Sequence, residues 1–221
     1  MPGDNLEEYY RARAPEYEQI YYRDNPVRRA EIDAEADRLA ELASGKTVLE
    51  LACGTGYWTR VMSRTAARIT ASDIASEALV EAKKKQYGCD VTFAQADMFT
   101  ESFGEGSFDL VALGFWFSHQ PRQEYDRLFD VLTKPLKKNG LIWMIDNNPP
   151  AEGSAELSCE VDEFGNNYKR RYLSDGRPFV ILKNYFSHNE LSATLGLRFT
   201  IRSLVYRDYY WSVVLEMAGT V

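Results

Sequence analysis

The stretch VLELACGTGYW, residues 48–58, decides the fold, because four residues of strand character break into two glycines separated by one threonine. A short apolar run that ends in small residues is typical of a buried strand followed by a tight turn. A helix from about Tyr57 would then present its N-terminus and open backbone N–H groups to the carboxyl edge of a sheet. Ligands of α/β proteins bind at this edge. The stretch therefore predicts an α/β fold with a ligand site after its first strand.

The composition sets the frame for this prediction. The chain has 221 residues, of which 45% are hydrophobic and 27% charged, as in one ordinary globular domain with room for a modest insertion. With 26 basic and 33 acidic residues, the net charge of −7 argues against a nucleic-acid partner. Cys53, Cys89 and Cys159 lack CxxC spacing, so we expect neither a disulfide framework nor a metal site. The first residues resemble neither a signal peptide nor a membrane span, which predicts a cytoplasmic protein without membrane contact.

Strands and helices alternate along the first two thirds of the chain. Five segments have strand character, namely TVLEL, RITASD, VTFAQA, FDLVALGF and LIWMID. The helix after Asn25 has this residue as its cap and is predicted to stop at Gly45, and two further helices are predicted to end at Gly88 and Gly140. Strands that alternate with helices imply a parallel sheet covered on both faces.

The pattern changes after residue 146. The turn SDGR between YKRRYL and PFVILK predicts an inserted hairpin within residues 147–186. A helix follows, with Ser187 and Glu190 at capping-box spacing. FTIRSLVY and YWSVVLEM are then joined by too few residues for a crossover helix, so they form an antiparallel pair.

These elements predict a Rossmann-like, doubly wound sheet of seven strands, mostly parallel with one antiparallel strand near the C-terminus, plus an inserted hairpin cap. The chain is read as one domain. Its predicted parts are an N-terminal helical lid (1–44), a binding core (45–146), a substrate cap (147–186), and a final helix and β-hairpin (187–221).

Two common phosphate-binding motifs fit the glycine turn poorly. A dinucleotide fingerprint G-x-G-x-x-G that starts at Gly54 and Gly56 would place its last small residue at Thr59. The Lys-Ser/Thr pair of a P-loop is also absent from the stretch.

The run ELACGTG, residues 50–56, instead resembles the first motif of the class I S-adenosylmethionine-dependent methyltransferases, and the resemblance extends over residues 45–146. It implies S-adenosylmethionine as cofactor, S-adenosylhomocysteine as product, no metal, and an activity of the EC 2.1.1 type. It further implies that Glu50 reaches the amino group of the methionyl part and that the backbone of Ala52, Gly54 and Gly56 passes close to the cofactor. Ala52 stands where glycine is commoner, a change that we expect to cost little because a methyl group is small.

The resemblance also carries over to the ends of the next strands. Asp73 would bond both ribose hydroxyls and Ile74 would pack on the adenine. Asp97 would bond the adenine amino group, with Met98 against the ring. Tyr57 and Phe115 complete the predicted cofactor-binding set.

Aromatic residues and one histidine follow the fourth strand in LGFWFSHQP, where the acceptor of the family meets the methyl group. Methyl transfer from a sulfonium requires alignment and dehydration, so Trp116 and His119 are predicted to contact the acceptor. His119 is the candidate general base if the acceptor has a proton to lose, and the alternative is that it only orders the loop by hydrogen bonding.

Two further segments are candidates for acceptor contact. Tyr10 and Tyr17, in YYRARAPEYE, resemble the tyrosines of a helical lid, and the alternative is a surface helix. Lys169, Arg170 and Arg171, in YKRRYL, are suited to an anionic acceptor, and the alternative is a solvated strand face.

The predicted function is in-line methyl transfer to a small-molecule acceptor. The alternatives are an RNA or protein methyltransferase and a non-catalytic regulator that binds S-adenosylmethionine. The acceptor atom (oxygen, nitrogen or carbon), the pathway and the oligomeric state, monomer or homodimer, stay open.

Overall fold

The structure, a computed structural model, describes residue 9 and residues 25–150, 160–173 and 175–218. The helices are α1 (Pro26–Ala43), α2 (Tyr57–Met62), α3 (Ser76–Lys83), α4 (Tyr125–Thr133) and α5 (His188–Gly196). The strands are β1 (Thr47–Leu51), β2 (Arg68–Asp73), β3 (Asp90–Gln95), β4 (Phe108–Gly114), β5 (Leu136–Asn147), β6 (Glu160–Val161), β7 (Asn167–Tyr172), β8 (Pro178–Leu182), β9 (Phe199–Tyr206) and β10 (Tyr210–Met217).

The main sheet has seven strands in the order β3-β2-β1-β4-β5-β10-β9. β1 pairs in parallel with β2 and with β4, and β10 is antiparallel to both of its neighbours. The predicted fold class is therefore confirmed, including the reversed strand that follows from the short link between β9 and β10.

Each face of this sheet has its own apolar core. One core contains Ile32 and Leu39 of α1 together with Trp143 of β5. The other contains Leu49 of β1 and Trp211 of β10, packed against α4 and α5. Burial of these side chains supplies the main favourable contribution to folding.

α1 begins as the sequence predicts. The side chain of Asn25 accepts a hydrogen bond from the Arg28 N–H, and Pro26 occupies the first turn, where its missing N–H costs nothing. The helix also holds the β9–β10 turn, because the Glu31 carboxylate accepts the backbone N–H groups of Asp208 and Tyr209 at 3.0 Å each.

Two predicted helix ends are wrong. The helix expected to reach Gly140 ends at Thr133, and β5 already begins at Leu136. Pro135 explains the difference, since proline has no N–H to continue the helical hydrogen bonds and its ring clashes with the preceding turn. The helix expected to reach Gly88 ends at Lys83, five residues earlier.

The inserted cap is a sheet of three strands, β6-β7-β8, in place of the predicted two-stranded hairpin. β7 and β8 pair antiparallel, as the hairpin predicted around SDGR requires, and the short β6 pairs with β7. α5 has the predicted capping box between Ser187 and Glu190. Across the described ranges, no helix combines the length and the apolar character needed to span a membrane.

Candidate functional site

The turn after β1 has left-handed backbone at three positions. The φ angles are 50° at Ala52, 55° at Gly54 and 81° at Gly56. At Gly56 a Cβ atom would lie 2.6 Å from the Tyr87 hydroxyl oxygen and 3.1 Å from the Ala82 Cβ. The turn therefore requires glycine at residue 56 for conformation and for space.

The sequence suggests that alanine in place of glycine at residue 52 costs little free energy because its methyl group is small. The structure shows a cost of another kind, since Ala52 has left-handed backbone, which is unfavourable by about 1–2 kcal/mol for a residue other than glycine. Glycine is suited to this position for its backbone freedom.

Asp73 at the end of β2 holds this turn. Its Oδ2 accepts the Gly54 N–H at 2.7 Å and its Oδ1 accepts the Ala75 N–H at 2.8 Å. Burial raises the pKa of the carboxyl group, and the backbone hydrogen bonds oppose this shift. Ile74 is 42% exposed beside it, so a carboxylate and an apolar side chain stand together next to bare backbone.

Glu50 lies beneath the turn and is only 2% exposed. Its Oε2 accepts the hydroxyl of Thr59 at 2.5 Å. Burial raises the pKa of Glu50 to about 8, with a smaller contribution from the charge of Asp73. The sequence analysis did not identify Thr59 as the hydrogen-bond partner of Glu50. The signal was the position of Thr59, which stands where the dinucleotide fingerprint would have its last small residue.

Asp97 and Met98 follow β3 and are both half-buried. The Asp97 Oδ1 accepts the Phe99 N–H at 2.9 Å, so the carboxylate shapes its own turn. Met98 packs at the margin of the core that contains α4 and α5. The strand ends β1, β2 and β3 thus place Glu50, Asp73 and Asp97 along one edge of the sheet.

Phe115 follows β4 and also has left-handed backbone, with φ 57°. Its N–H donates to the Ile145 carbonyl at 2.8 Å, and its ring packs 5.6 Å from Tyr210. Since β4 is the neighbour of β1, two strained non-glycine residues, Ala52 and Phe115, stand at adjacent strand ends. Such strain persists only where the surrounding structure enforces it, and it concentrates at functional sites.

The aromatic residues near these two positions are partly accessible. Trp116 is half-buried and its ring lies 5.7 Å from that of Phe99. Tyr57 is half-buried and its ring meets Trp58 edge-on at 4.9 Å.

His119 is 4% exposed, and its Nδ1 lies 2.6 Å from the Leu182 carbonyl oxygen of the cap. A carbonyl only accepts, so Nδ1 carries the proton. Burial, together with the charges of Lys183 and Arg171, lowers the pKa of His119 to about 3. The imidazole is therefore neutral near pH 7, and it ties the loop after β4 to the cap. Its assignment as a base stays a prediction.

A buried polar cluster that sequence reasoning missed supports this loop. Asp146 at the end of β5 pairs with Lys183 at 2.8 Å, and the side chains are 0% and 5% exposed. Lys183 Nζ also donates to the Ser118 hydroxyl at 2.6 Å, while the Ser118 N–H donates to Asp146 Oδ2 at 2.9 Å. No spacing in the sequence signals this cluster, because Ser118 and Lys183 are 65 residues apart.

Asparagines extend the junction between cap and core. The Asn184 N–H donates to the Ser118 carbonyl at 2.7 Å, and its side-chain amide donates to the Gln120 carbonyl at 3.0 Å. Asn166 accepts the Arg122 N–H at 2.8 Å. The cap is therefore fixed to the loop after β4 through buried hydrogen bonds.

Tyr10 and Tyr17 lie outside the described residues. Tyr9 is described, is 2% exposed, and places its ring 5.6 Å from that of Phe179 in the cap. Within the described ranges no group of three or more His, Cys, Asp or Glu side chains is arranged to hold a metal ion.

Comparison with known proteins agrees with this architecture. A family described as Methyltransferase domain matches residues 48–140. The solved DhpI–SAM–HEP complex is 30% identical, with 94% of each chain covered and a TM-score of 0.73. The DhpI–SAH complex is 29% identical, with 97% of this chain and 96% of that chain covered and a TM-score of 0.76.

A curated relative, the demethylmenaquinone methyltransferase of Lactococcus lactis, is 28% identical over 119 residues. The match covers 51% of this chain and 46% of the relative, so the chain spans about half the length of the curated relatives it matches.

The fold and the site define the class I methyltransferase architecture. The chain belongs to the S-adenosylmethionine-dependent methyltransferases. The cofactor is S-adenosylmethionine, and the two DhpI structures are complexes with SAM and with SAH. The exposed Ile74 beside the Asp73 carboxylate fits a ligand with an apolar ring on a hydroxyl-bearing sugar.

Proposed function

We propose that the protein transfers a methyl group from S-adenosylmethionine to a small-molecule acceptor held between the loop after β4 and the cap. The observation that carries this proposal is the pair of left-handed residues, Ala52 and Phe115, at the adjacent ends of β1 and β4. They turn the backbone at the point where the cofactor edge of the sheet meets the loop fixed to the cap.

In this proposal the strand ends hold the cofactor. Asp73 bonds the ribose hydroxyls, Ile74 packs on the adenine, and Asp97 with Met98 takes the adenine edge. Glu50, beneath the turn, bonds the methionyl amino group. The backbone of the turn at Ala52, Gly54 and Gly56 lies against the cofactor. Tyr57 and Phe115 line the same space. Asp97 and Met98 are half-buried and Ile74 is exposed, so all three side chains are accessible to a ligand, which supports these roles.

The bound cofactor supplies a methyl group whose bond to sulfur breaks, leaving its electron pair on sulfur, as the new bond to the acceptor atom forms. The chain supplies alignment and exclusion of water. Trp116 and the neutral His119 border the acceptor, and the buried junction with the cap keeps this loop in one position.

A small acceptor is supported by the buried junction of the cap and by the net charge of −7, which repels a nucleic-acid backbone. A demethylmenaquinone methyltransferase is, by its name, a relative with a small-molecule acceptor. RNA and protein substrates are the outcomes that would replace this proposal. The cytoplasmic location, the division of the chain into its parts and the oligomeric state stay predictions.

Calorimetric titration with S-adenosylmethionine tests the cofactor site. Asp73→Asn should bind at least about tenfold more weakly, since a hydrogen bond to a desolvated charged group contributes about 1.5–3 kcal/mol. Asp90→Asn is the matched control, because Asp90 is exposed at the opposite end of the neighbouring strand β3. Equal affinities of both variants would place the ribose elsewhere.

The acceptor class is tested by incubating the protein and S-adenosylmethionine with a metabolite extract and, separately, with total RNA and protein from the same cells. A mass gain of one methylene in a metabolite supports the proposal. Methylation confined to RNA or protein contradicts the proposal. Binding of S-adenosylmethionine without transfer of its methyl group to any of these substrates identifies a regulator.

A further inference from the structure

A hydrogen bond between Thr59 and Glu50 joins the two sides of the glycine turn. Thr59 lies in the first turn of α2 and is 0% exposed, while Glu50 lies near the end of β1 and is 2% exposed. The two side chains meet across nine residues of chain, with 2.5 Å between Thr59 Oγ1 and Glu50 Oε2. This distance is typical of a hydroxyl that donates to a charged oxygen. The bond therefore lies inside the protein, directly beneath the backbone of the turn.

The Thr59 hydroxyl does not have the usual partner of a helical threonine. In a helix this hydroxyl commonly donates to a carbonyl three or four residues earlier, as Thr133 of α4 does to the Phe129 carbonyl at 2.8 Å. The Thr59 hydroxyl instead leaves its own helix and reaches a carboxyl group on the neighbouring strand. Its orientation indicates a role toward Glu50, and not only a role within α2.

Glu50 depends on this donor. Among the described residues, Thr59 is the one that donates a hydrogen bond to the Glu50 carboxyl group. Burial raises the pKa of Glu50, and the hydrogen bond from Thr59 opposes the shift. A buried carboxylate is costly unless it is both hydrogen-bonded and paired with a positive charge. Thr59 supplies the hydrogen bond, so the positive charge is what a ligand would add.

The bond also fixes the direction of the carboxyl group. Rotation about the last side-chain bond of a glutamate is broad, so a carboxyl group held at neither oxygen has no single orientation. With Oε2 held by Thr59, the orientation is set and Oε1 is the oxygen that can meet a ligand. A cationic group that arrives at Oε1 then finds the acceptor already in place, which reduces the entropy that binding costs.

We propose that Thr59 is a positioning residue for the methyl donor, whose hydroxyl holds Oε2 of Glu50 so that Oε1 receives the ammonium group of S-adenosylmethionine. Thr59 acts through Glu50 and does not itself contact the cofactor. The inference rests on the proposed function, which assigns Glu50 to this ammonium group, and it adds the residue that orients the carboxylate.

The experiment compares calorimetric titrations with S-adenosylhomocysteine and with 5′-methylthioadenosine. The second probe keeps the adenosine and the sulfur but lacks the amino acid part, so it has no ammonium group for Glu50. Thr59→Val should weaken S-adenosylhomocysteine binding about tenfold or more and 5′-methylthioadenosine binding less than about twofold, because the lost bond to a charged group affects only the ligand that pairs with the carboxylate. Thr59→Ser keeps the hydroxyl and should stay within about threefold of the wild type for both probes.

Thr133→Val is the matched control, since the same exchange of a hydroxyl for a methyl group on α4 should change neither affinity. Thr59→Ala also removes the hydroxyl and places a better helix former in α2, so it gives the same comparison if valine lowers the melting temperature. In a Glu50→Gln background, Thr59→Val should weaken S-adenosylhomocysteine binding less than it does in the wild type, because residues that act through one bond have non-additive effects.

The inference is overturned if Thr59→Val weakens both probes equally, since Thr59 would then only support the turn. Unchanged binding of both probes, or fully additive effects of Thr59→Val and Glu50→Gln, would also overturn it. A wild type that binds neither probe would contradict the proposed function itself. The two failures are thus distinguishable.

Discussion

Asp146 and Lys183 form an ion pair with 2.8 Å between Oδ1 and Nζ, and both side chains are almost fully buried. The pair joins the end of β5 in the main sheet to the end of β8 in the cap. Each partner has further hydrogen bonds, Asp146 with the N–H groups of Ser118 and Asn147, and Lys183 with the Ser118 hydroxyl. Such a network is costly to disrupt from one side, because removing one charge leaves the other buried without compensation.

Lys183→Met should therefore reduce the free energy of unfolding by about 3–5 kcal/mol. Urea unfolding followed by circular dichroism measures the change. Lys137→Met is the control, because Lys137 forms the partly exposed pair with Asp109 and its loss should cost about 0–1 kcal/mol. Equal changes in the free energy of unfolding for the two substitutions would show that burial of the Asp146–Lys183 pair does not increase the cost of disrupting it.

Glu50 predicts a pH dependence of stability. Its pKa in the folded protein is raised to about 8, so between the ordinary value of 4.5 and about 8 the folded state binds more protons than the unfolded state. The contribution of Glu50 to stability is therefore full below 4.5 and is lost as the pH rises through about 8.

Glu50→Gln resembles the neutral acid and can still accept the Thr59 hydroxyl, so it should remove this dependence. Urea midpoints measured from pH 5 to pH 9 should fall more steeply for the wild type than for Glu50→Gln. Glu105→Gln, at an exposed position, should leave the slope unchanged. Parallel curves for wild type and Glu50→Gln would contradict the raised pKa.

Ala52 predicts opposite effects of two substitutions. Ala52→Gly should stabilise the protein by up to about 1 kcal/mol, because relief of left-handed strain exceeds the added entropy of the unfolded chain. Ala52→Val should destabilise it by about 2 kcal/mol, since a β-branched residue tolerates positive φ poorly. Thermal melting of both variants distinguishes this from a packing effect, for which glycine would be the more harmful change.

Ile74 predicts a loss of cofactor affinity without a loss of stability. Ile74→Ser removes an exposed apolar side chain, so folding should be unaffected, while affinity for S-adenosylmethionine should fall by about 1–2 kcal/mol because the adenine loses its apolar contact. Val80→Ser, at a 55% exposed site on α3, is the control and should bind as the wild type does. Equal calorimetric affinities of the two variants would argue against adenine stacking at Ile74.

The sequence was informative where structure is decided locally. The short link between β9 and β10 predicts the reversed strand, and the Asn25 cap, the capping box of Ser187 and the SDGR turn each act over a few residues. The predicted end of α4 at Gly140 was wrong because the helical spacing of apolar residues continues beyond Pro135, where the helix itself has already ended.

The site was predictable in its residue types but not in its contacts. Strand-end carboxylates can be read from order and spacing, whereas the partners of Asp146 and His119 lie 37 and 63 residues away along the chain. The burial of Lys169 beside the exposed Arg170 depends on the pairing of β7 with β8, which no local pattern of YKRRYL fixes.

In the described ranges, the cap is hydrogen-bonded to the segment that follows β4 and to Asp146 at the end of β5, and these bonds do not involve the ends of β1, β2 or β3. Under the proposed function, recognition of the methyl donor and choice of the recipient are thereby divided between two separately adjustable regions. Substitutions in residues 160–182 would then change the recipient and leave the donor site unchanged, which is a division suited to the diversification of one enzyme into many.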